Sequence, residues 1–358
     1  MTQENKPTRR DFLVGTAAVV GAAAVATPTP AQAAAPASAR IVQIEHSKAH
    51  LGKTKLDEPV VKTMIHEALK AYTGAATAVE ALGKYFDPKQ NIAIKVNTLG
   101  SPYSAVNPEV AHELADLFQQ LGSPKNKLRI FDQYQTRMRK GRYRLRRSDS
   151  HVWVHKHLGR HGKKIVYTDP TYEKHTVEFH WDESIVWADA VLNLCIPKDH
   201  DLTGVTGALK NMAFGVIEPT AERSANKANP GHYTVVPRFH RNNADPAIAW
   251  LYSQPMIKGK VKLIMADALR VLYHGGPQDK PRYRLVHNQI WVTEDPVACD
   301  TTILNLVNGM RKDKGMVPVE EALFRGKPRP PRYLKSCVKY GLGVGDASKI
   351  TLDKKVIG

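Results

Sequence analysis

The sequence predicts an α/β protein, a mainly parallel sheet with flanking helices, as one large domain with a basic insertion. The clearest sign lies between Asn91 and Asp132. There the apolar run "NIAIKV" is followed by a loop, then by a segment that opens with Asn107 and Pro108 and closes at Gly122, then by "KLRIFD". Asn and Pro at a helix start and Gly at its end frame a helix, and strand, helix and strand in succession make a βαβ unit. A second sign is the recurrence of short apolar runs rich in β-branched residues at "KIVYTD", "DAVLNLCIP", "VKLIMADAL" and "NQIWVTED". The third is size: 358 residues at 42% hydrophobic content bury a substantial core, and no internal repeat of solenoid period is present.

Taken in chain order, residues 1–33 read as a twin-arginine export signal. "TRRDFL" precedes an Ala-rich apolar run from Val14 to Ala26, and "AQA" at Ala31 to Ala33 suits a cleavage site. A membrane anchor fits less well, because Gly15 and Gly21 interrupt the run and Pro28 ends it short of the roughly 20 apolar residues a span needs. The expected location is therefore periplasmic or extracellular, with the twin-arginine translocase as a partner during export and no membrane span in the mature chain. Residues 34–57 read as a leader and residues 58–352 as the α/β domain. Within it, Glu58 to Phe86 carries apolar residues at helical spacing with Gly74 as a break. "DPVACDTTILNLVNGM" opens on a Pro and runs helically to Gly309.

The formal charge is +18, and removing residues 1–33 takes away only one net positive charge, so the basicity belongs to the exported domain. Such a balance predicts attraction to anions. More than half of it sits in residues 137–164, where eleven Lys and Arg stand against Asp149 alone. "RMRKGRYRLRR" fits a hairpin with one basic face, a loop or a helix. His151, His155, His157 and His161 follow, paired at helical spacing, but eleven neighbouring cations disfavour a metal there.

Cys195, Cys299 and Cys337 are widely spaced, with no C-x-x-C pair. No iron–sulfur cluster is expected, and at most one disulfide can form. Cys195 lies in an apolar strand and reads as core.

Polar residues gather where the strands end, and ligands of open parallel sheets bind beyond the carboxyl ends of the strands. Lys95 and Asn97 close the first strand, Asp132 the second, Lys198 and His200 follow "LNLCIP", Asp267 follows "VKLIMA" and Asp295 follows "IWVTE". Thr206, Gly207, Lys210 and Asn211 form a loop able to meet an anion near a helix start. His200, Lys198 and Lys210 are the catalytic candidates, and Lys95, Asn97, Thr206, Gly207 and Asn211 the ligand-binding ones. His200 with Asp267, Asp295 and Asp300 is a candidate set for a divalent metal, from the affinity of imidazole and carboxylate for such ions.

Together "IKVN" (Ile94 to Asn97), "IPKDH" (Ile196 to His200), "GVTGALKN" (Gly204 to Asn211), "ADA" (Ala266 to Ala268), "HGGP" (His274 to Pro277) and "DPVACD" (Asp295 to Asp300) resemble the domain of unknown function 362 family. The resemblance runs from about Asn91 to Gly345 and implies an α/β domain. Some members carry ferredoxin-like modules, which this chain's three cysteines do not supply. Residues 137–164 look like an insertion, and no catalytic roles carry over.

The expectation is an exported enzyme or cofactor-dependent protein acting on an anionic small molecule at the strand ends, with or without a metal. The alternative is an extracytoplasmic protein that binds an envelope polyanion through residues 137–164. Nucleic acid suits that segment's chemistry but not the compartment.

Overall fold

A computed structural model describes residues 36–52, 54–148, 150–156, 160–218 and 236–358, with the backbone alone at 160–163. The expected signal at 1–33 lies outside these residues, as does His157. Among the described residues no helix is long and apolar enough to cross a membrane.

Ten strands form the central sheet: β1 (Ala39–Glu45), β2 (Ile92–Lys95), β3 (Leu128–Asp132), β4 (Trp153–Lys156), β5 (Ala190–Cys195), β6 (Lys198–His200), β7 (Gly204–Thr206), β8 (Val261–Leu272), β9 (Arg284–Thr293) and β10 (Ile350–Val356). Eight of them run in the order β10-β1-β9-β8-β5-β2-β3-β4, while β6 pairs with β7 and with the end of β8. From β8 to β4 all neighbours are parallel. Antiparallel pairing enters through β9, which lies between β8 and β1.

The parallel centre is covered on both faces, as such sheets require. Ile92 and Ile94 of β2 face the core under helices α1 (Glu58–Thr73) and α2 (Pro108–Gln120). Ala93 points the other way, towards α4 (Ala208–Ala213) and α5 (Ala247–Ser253), while α3 (Gln135–Lys140) buries Met138 in the cluster of the first face. This two-residue alternation assigns each apolar residue of a strand to one face. Helices α6 (Pro296–Lys312) and α7 (Tyr333–Lys339) complete the second face.

The helix ends follow their sequence signals. Asp57 caps α1 by accepting from the Val60 N–H at 3.2 Å, and Gly74 closes it at φ 68°. A second helix, Ala78–Gly83, begins after this break with a Thr77 and Glu80 capping box. Asp295 caps α6 through the Val297 and Ala298 N–H groups at 2.9 and 2.8 Å. The helix continues past the expected stop at Gly309 to Lys312.

Three expectations change. The leader assigned to residues 34–57 contains β1, which is flanked by β9 and β10 inside the sheet, and β10 reaches beyond residue 352. The cause is that Val42 and Ile44 need the far end of the chain and α1 to cover them. Next, "KIVYTD" belongs to Arg160–Thr168, which pairs antiparallel with Thr176–Asp182 in a separate hairpin. Finally, residues 137–164 are no simple insertion. They hold most of α3, the edge strand β4 and the start of that hairpin, and β4 as a strand excludes the helical histidine pairing.

Asp295 also accepts from the Val344 N–H at 2.8 Å, so it ties α6 to the segment before β10. Replacing it by Ala is expected to lower unfolding free energy by about 2 kcal/mol, the upper range for a lost cap. Urea denaturation of Asp295→Ala checks this.

Candidate functional site

Beyond the carboxyl ends of β2, β3 and β5 lies a cavity of about 410 Å³, lined in part by Lys95, Asn97, Asp132, His200, Thr206 and Lys210. Its floor is a buried ion pair. Lys95 donates to Asp132 Oδ1 at 2.9 Å, to Asn211 Oδ1 at 3.0 Å and to the Val96 carbonyl at 2.6 Å. Asp132 Oδ2 accepts from the Thr98 N–H at 2.6 Å and its hydroxyl at 2.5 Å. Burial pushes the Asp132 carboxyl up, but the Lys95 charge and the Thr98 hydrogen bonds outweigh it and hold the group below the usual range. Asn211 extends the network by donating to Asn193 Oδ1 at 2.8 Å. All three Lys95 protons are engaged, which makes this lysine a strut in the cavity floor.

Lys198 is fully buried and does not line the cavity. It donates to Asn97 Oδ1 at 3.0 Å, to the Ser104 carbonyl at 3.1 Å and to the Leu99 carbonyl. It holds the 97–104 loop in place. Burial drives its pKa well below that of an ordinary lysine. Its neighbour Asp199 points to the opposite side and pairs with Arg329 at 2.7 Å. The consecutive Lys198, Asp199 and His200 of β6 thus serve three different partners, as strand alternation allows.

Lys210 and His200 are in direct contact beside the cavity. The Leu202 N–H donates to His200 Nδ1 at 3.1 Å, which fixes Nδ1 as acceptor and places the ring proton on Nε2. That Nε2–H faces Lys210 Nζ at 2.9 Å, so Lys210 meets it with the lone pair of a neutral amine. The surroundings agree. Lys210 is 6% exposed and lies over the Phe214 ring at 5.2 Å. Burial first, and then the Arg137 charge, bring its pKa down to about 7. Burial keeps His200 neutral as well. The His240 ring stacks on His200 at 5.8 Å and donates Nδ1–H to the Val236 carbonyl, with its pKa lowered to about 3 chiefly by burial.

The expected metal ligands are not brought together. Among the described residues no group of three His, Cys, Asp or Glu is placed to hold an ion. Asp267 accepts from the Asn107 N–H and amide at 2.7 and 2.8 Å and secures the start of α2. Asp300 receives the Ala208 N–H at 2.5 Å and secures the start of α4, and Asp295 caps α6. Gly207 serves the same contact, since a Cβ there would overlap the Asp300 carboxylate. Thr206 remains a ligand candidate because its buried hydroxyl has no hydrogen-bond partner among the described residues.

Sequence reading missed the opposite wall. Phe214, His240 and Arg325 line the cavity, and so does Arg137, which had been counted in the basic run. Arg137 stacks on Tyr134 at 4.1 Å, and no ion pair to it is present among the described residues. None of these four follows a strand-end signal. Other members of the basic run are neutralised elsewhere: Arg142 binds Glu109 and Lys164 binds Glu178. The cysteines hold one surprise. Although 104 positions apart in "LNLCIP" and "DPVACD", the free thiols of Cys195 and Cys299 are buried in the same apolar cluster.

A two-faced, mainly parallel α/β domain with a lysine-rich cavity at its strand ends is thus the class of protein that fold and site define. The chain belongs to the domain of unknown function 362 family, whose profile matches residues 92–305. Among solved structures it is similar to the crystal structure of a protein from Thermotoga maritima, at 13% identity and a TM-score of 0.41, over 75% of this chain and 61% of that one. This chain therefore spans less than two thirds of that protein's length. No curated protein matches it.

Two outcomes test the site's electrostatics. Lys95→Met strands a buried carboxylate and is expected to cost about 3–5 kcal/mol of stability, most of it recovered in the double variant with Asp132→Asn. Burial raises the Asp300 pKa to about 7. The folded state then binds the extra proton, and this group's contribution to stability falls as pH rises from about 4, where the unfolded carboxyl titrates, towards 7. Asp300→Asn is expected to flatten that decline in urea denaturation followed across the same window.

Proposed function

We propose that this chain is an exported enzyme that binds a small organic anion in the strand-end cavity and uses Lys210 as its reactive group. The observation that carries this reading is a buried amine facing the His200 Nε2–H, in a cavity whose wall presents the Arg137 guanidinium, unpaired among the described residues. Arginine recognises carboxylates and phosphates through paired N–H donors, and a dry apolar wall strengthens such contacts. Neutral lysine is a base or nucleophile at physiological pH, where an exposed lysine is neither. The unpartnered Thr206 hydroxyl adds a donor to the same space. A neutral, fully engaged Lys95–Asp132 floor leaves Arg137 to set the charge preference.

Oxalate is a suitable probe, being small, dianionic and unreactive. Calorimetric titration is expected to show one site, with affinity falling roughly ten- to a hundred-fold in Arg137→Gln, the effect of losing a charged hydrogen bond. Absence of binding, or undiminished binding in the variant, overturns the reading. Substituting Arg144, Arg146 and Arg147 instead is expected to leave oxalate affinity unchanged. If those three govern a steeply salt-dependent binding of anionic envelope polymer, the polyanion alternative takes its place.

The export reading rests on "TRRDFL" and the Ala-rich run after it. It places the protein outside the cytoplasm, delivered by the twin-arginine translocase. Replacing Arg9 and Arg10 together by Lys is expected to leave the protein in the cytoplasmic fraction. Export of that variant at the normal rate would contradict this.

A further inference from the structure

Building on the anion-binding reading of the cavity, we propose that Lys210 forms an imine with a small anionic carbonyl compound of the 2-oxo acid class. Three features of the geometry lead there. The first is the direction of hydrogen bonding around His200. The Leu202 N–H occupies Nδ1, so the ring offers Nε2–H to Lys210, and that bond requires a lone pair on Nζ. An ammonium at this position would set N–H against N–H. The second is confinement: Phe214 underlies the amine, His240 stacks against the far side of His200, and the amine opens onto the cavity and not onto bulk water. The third is the Arg137 guanidinium on the cavity wall, unpaired among the described residues and able to take a carboxylate in bidentate fashion. An amine and a carboxylate receptor on one small cavity match a molecule that carries a carbonyl carbon next to its acid group.

The chemistry balances with the groups present. The Nζ lone pair forms the C–N bond and the carbonyl π pair moves to oxygen. Attack breaks the hydrogen bond from His200, and the freed Nε2–H is placed to donate to that oxygen as it gains charge. The two amine protons leave with the oxygen as water, by exchange through solvent, and the imine remains. His200 acts here as a donor held in one tautomer by the backbone at Leu202.

Incubating the purified chain with glyoxylate and cyanoborohydride tests the inference. Hydride reduces the imine carbon and fixes a carboxymethyl group on Nζ, and peptide mass mapping locates it. The expected result is an adduct at Lys210 enriched about ten-fold or more over exposed lysines, whose ammonium form holds no lone pair at neutral pH. Oxalate in excess is expected to slow it, as is Arg137→Gln. Labelling spread over surface lysines without enrichment at Lys210 overturns the proposal, and because the site is mapped in the unaltered chain, no variant has to fold for this result. If oxalate binds as described above and no adduct forms, imine chemistry fails and the anion-binding reading survives. If the adduct forms at Lys210 but neither oxalate nor Arg137→Gln slows it, the amine is reactive and the anionic substrate class is wrong.

Discussion

The cavity exists because a lysine and an aspartate are buried side by side at the ends of adjacent strands. Taking two such charges out of water is costly, and attraction between them offsets that cost only when the remaining protons and lone pairs are also satisfied. Here they are: the Val96 carbonyl and the Asn211 amide oxygen complete Lys95, and the Thr98 backbone and hydroxyl complete Asp132. The pair therefore fixes more than itself. It sets where the chain leaves β2, where it leaves β3 and where α4 rests through Asn211. Each of the other polar groups is placed relative to that floor. Gly215 is part of the arrangement, since a side chain there would strike the Lys95 amine.

Above the floor, the three lysines that resemble one another in sequence have separate physical lives. Lys95 has a carboxylate partner, Lys198 has only neutral carbonyl and amide oxygens, and Lys210 has a ring N–H. Their burial is similar and their neighbours are not. It is the neighbours that turn two of them into struts and leave one facing the cavity without a charged partner among the described residues. The aspartates sort in the same manner: Asp267, Asp295 and Asp300 each satisfy backbone N–H groups at a helix start, where a carboxylate is favoured.

Much of this was legible in the sequence, because local rules govern it. The β2-α2-β3 unit, the helix break at Gly74, and the gathering of Lys95, Asn97, His200, Thr206, Lys210 and Asn211 at one rim all follow from spacing and from the geometry of parallel sheets. What escaped depended on partners far along the chain. β1 looked like a leader because its seven residues are covered by β9 and β10, some 250 to 310 positions away. Arg137 looked like one charge among eleven, since nothing in "RMRKG" says which arginine turns inward. Asp267, Asp295 and Asp300 looked like ligands because a carboxylate near a strand end or helix start reads the same whether it meets a cation or an amide. The hydrogen-bond direction at His200, on which the proposed chemistry turns, depends on a backbone N–H two residues on, invisible without coordinates.

The parallel pairing of β1 with β10 has a bearing on how the protein comes to be. Residues 39–45 are made early and residues 350–356 late, and the two are matched position by position along their length. A contact of such long sequence separation is slow to close, because the intervening chain must first be ordered. Until then, the outer edge of β1 presents unpaired backbone groups to other chains. On the ribosome, the sheet can be finished only once residue 356 has emerged.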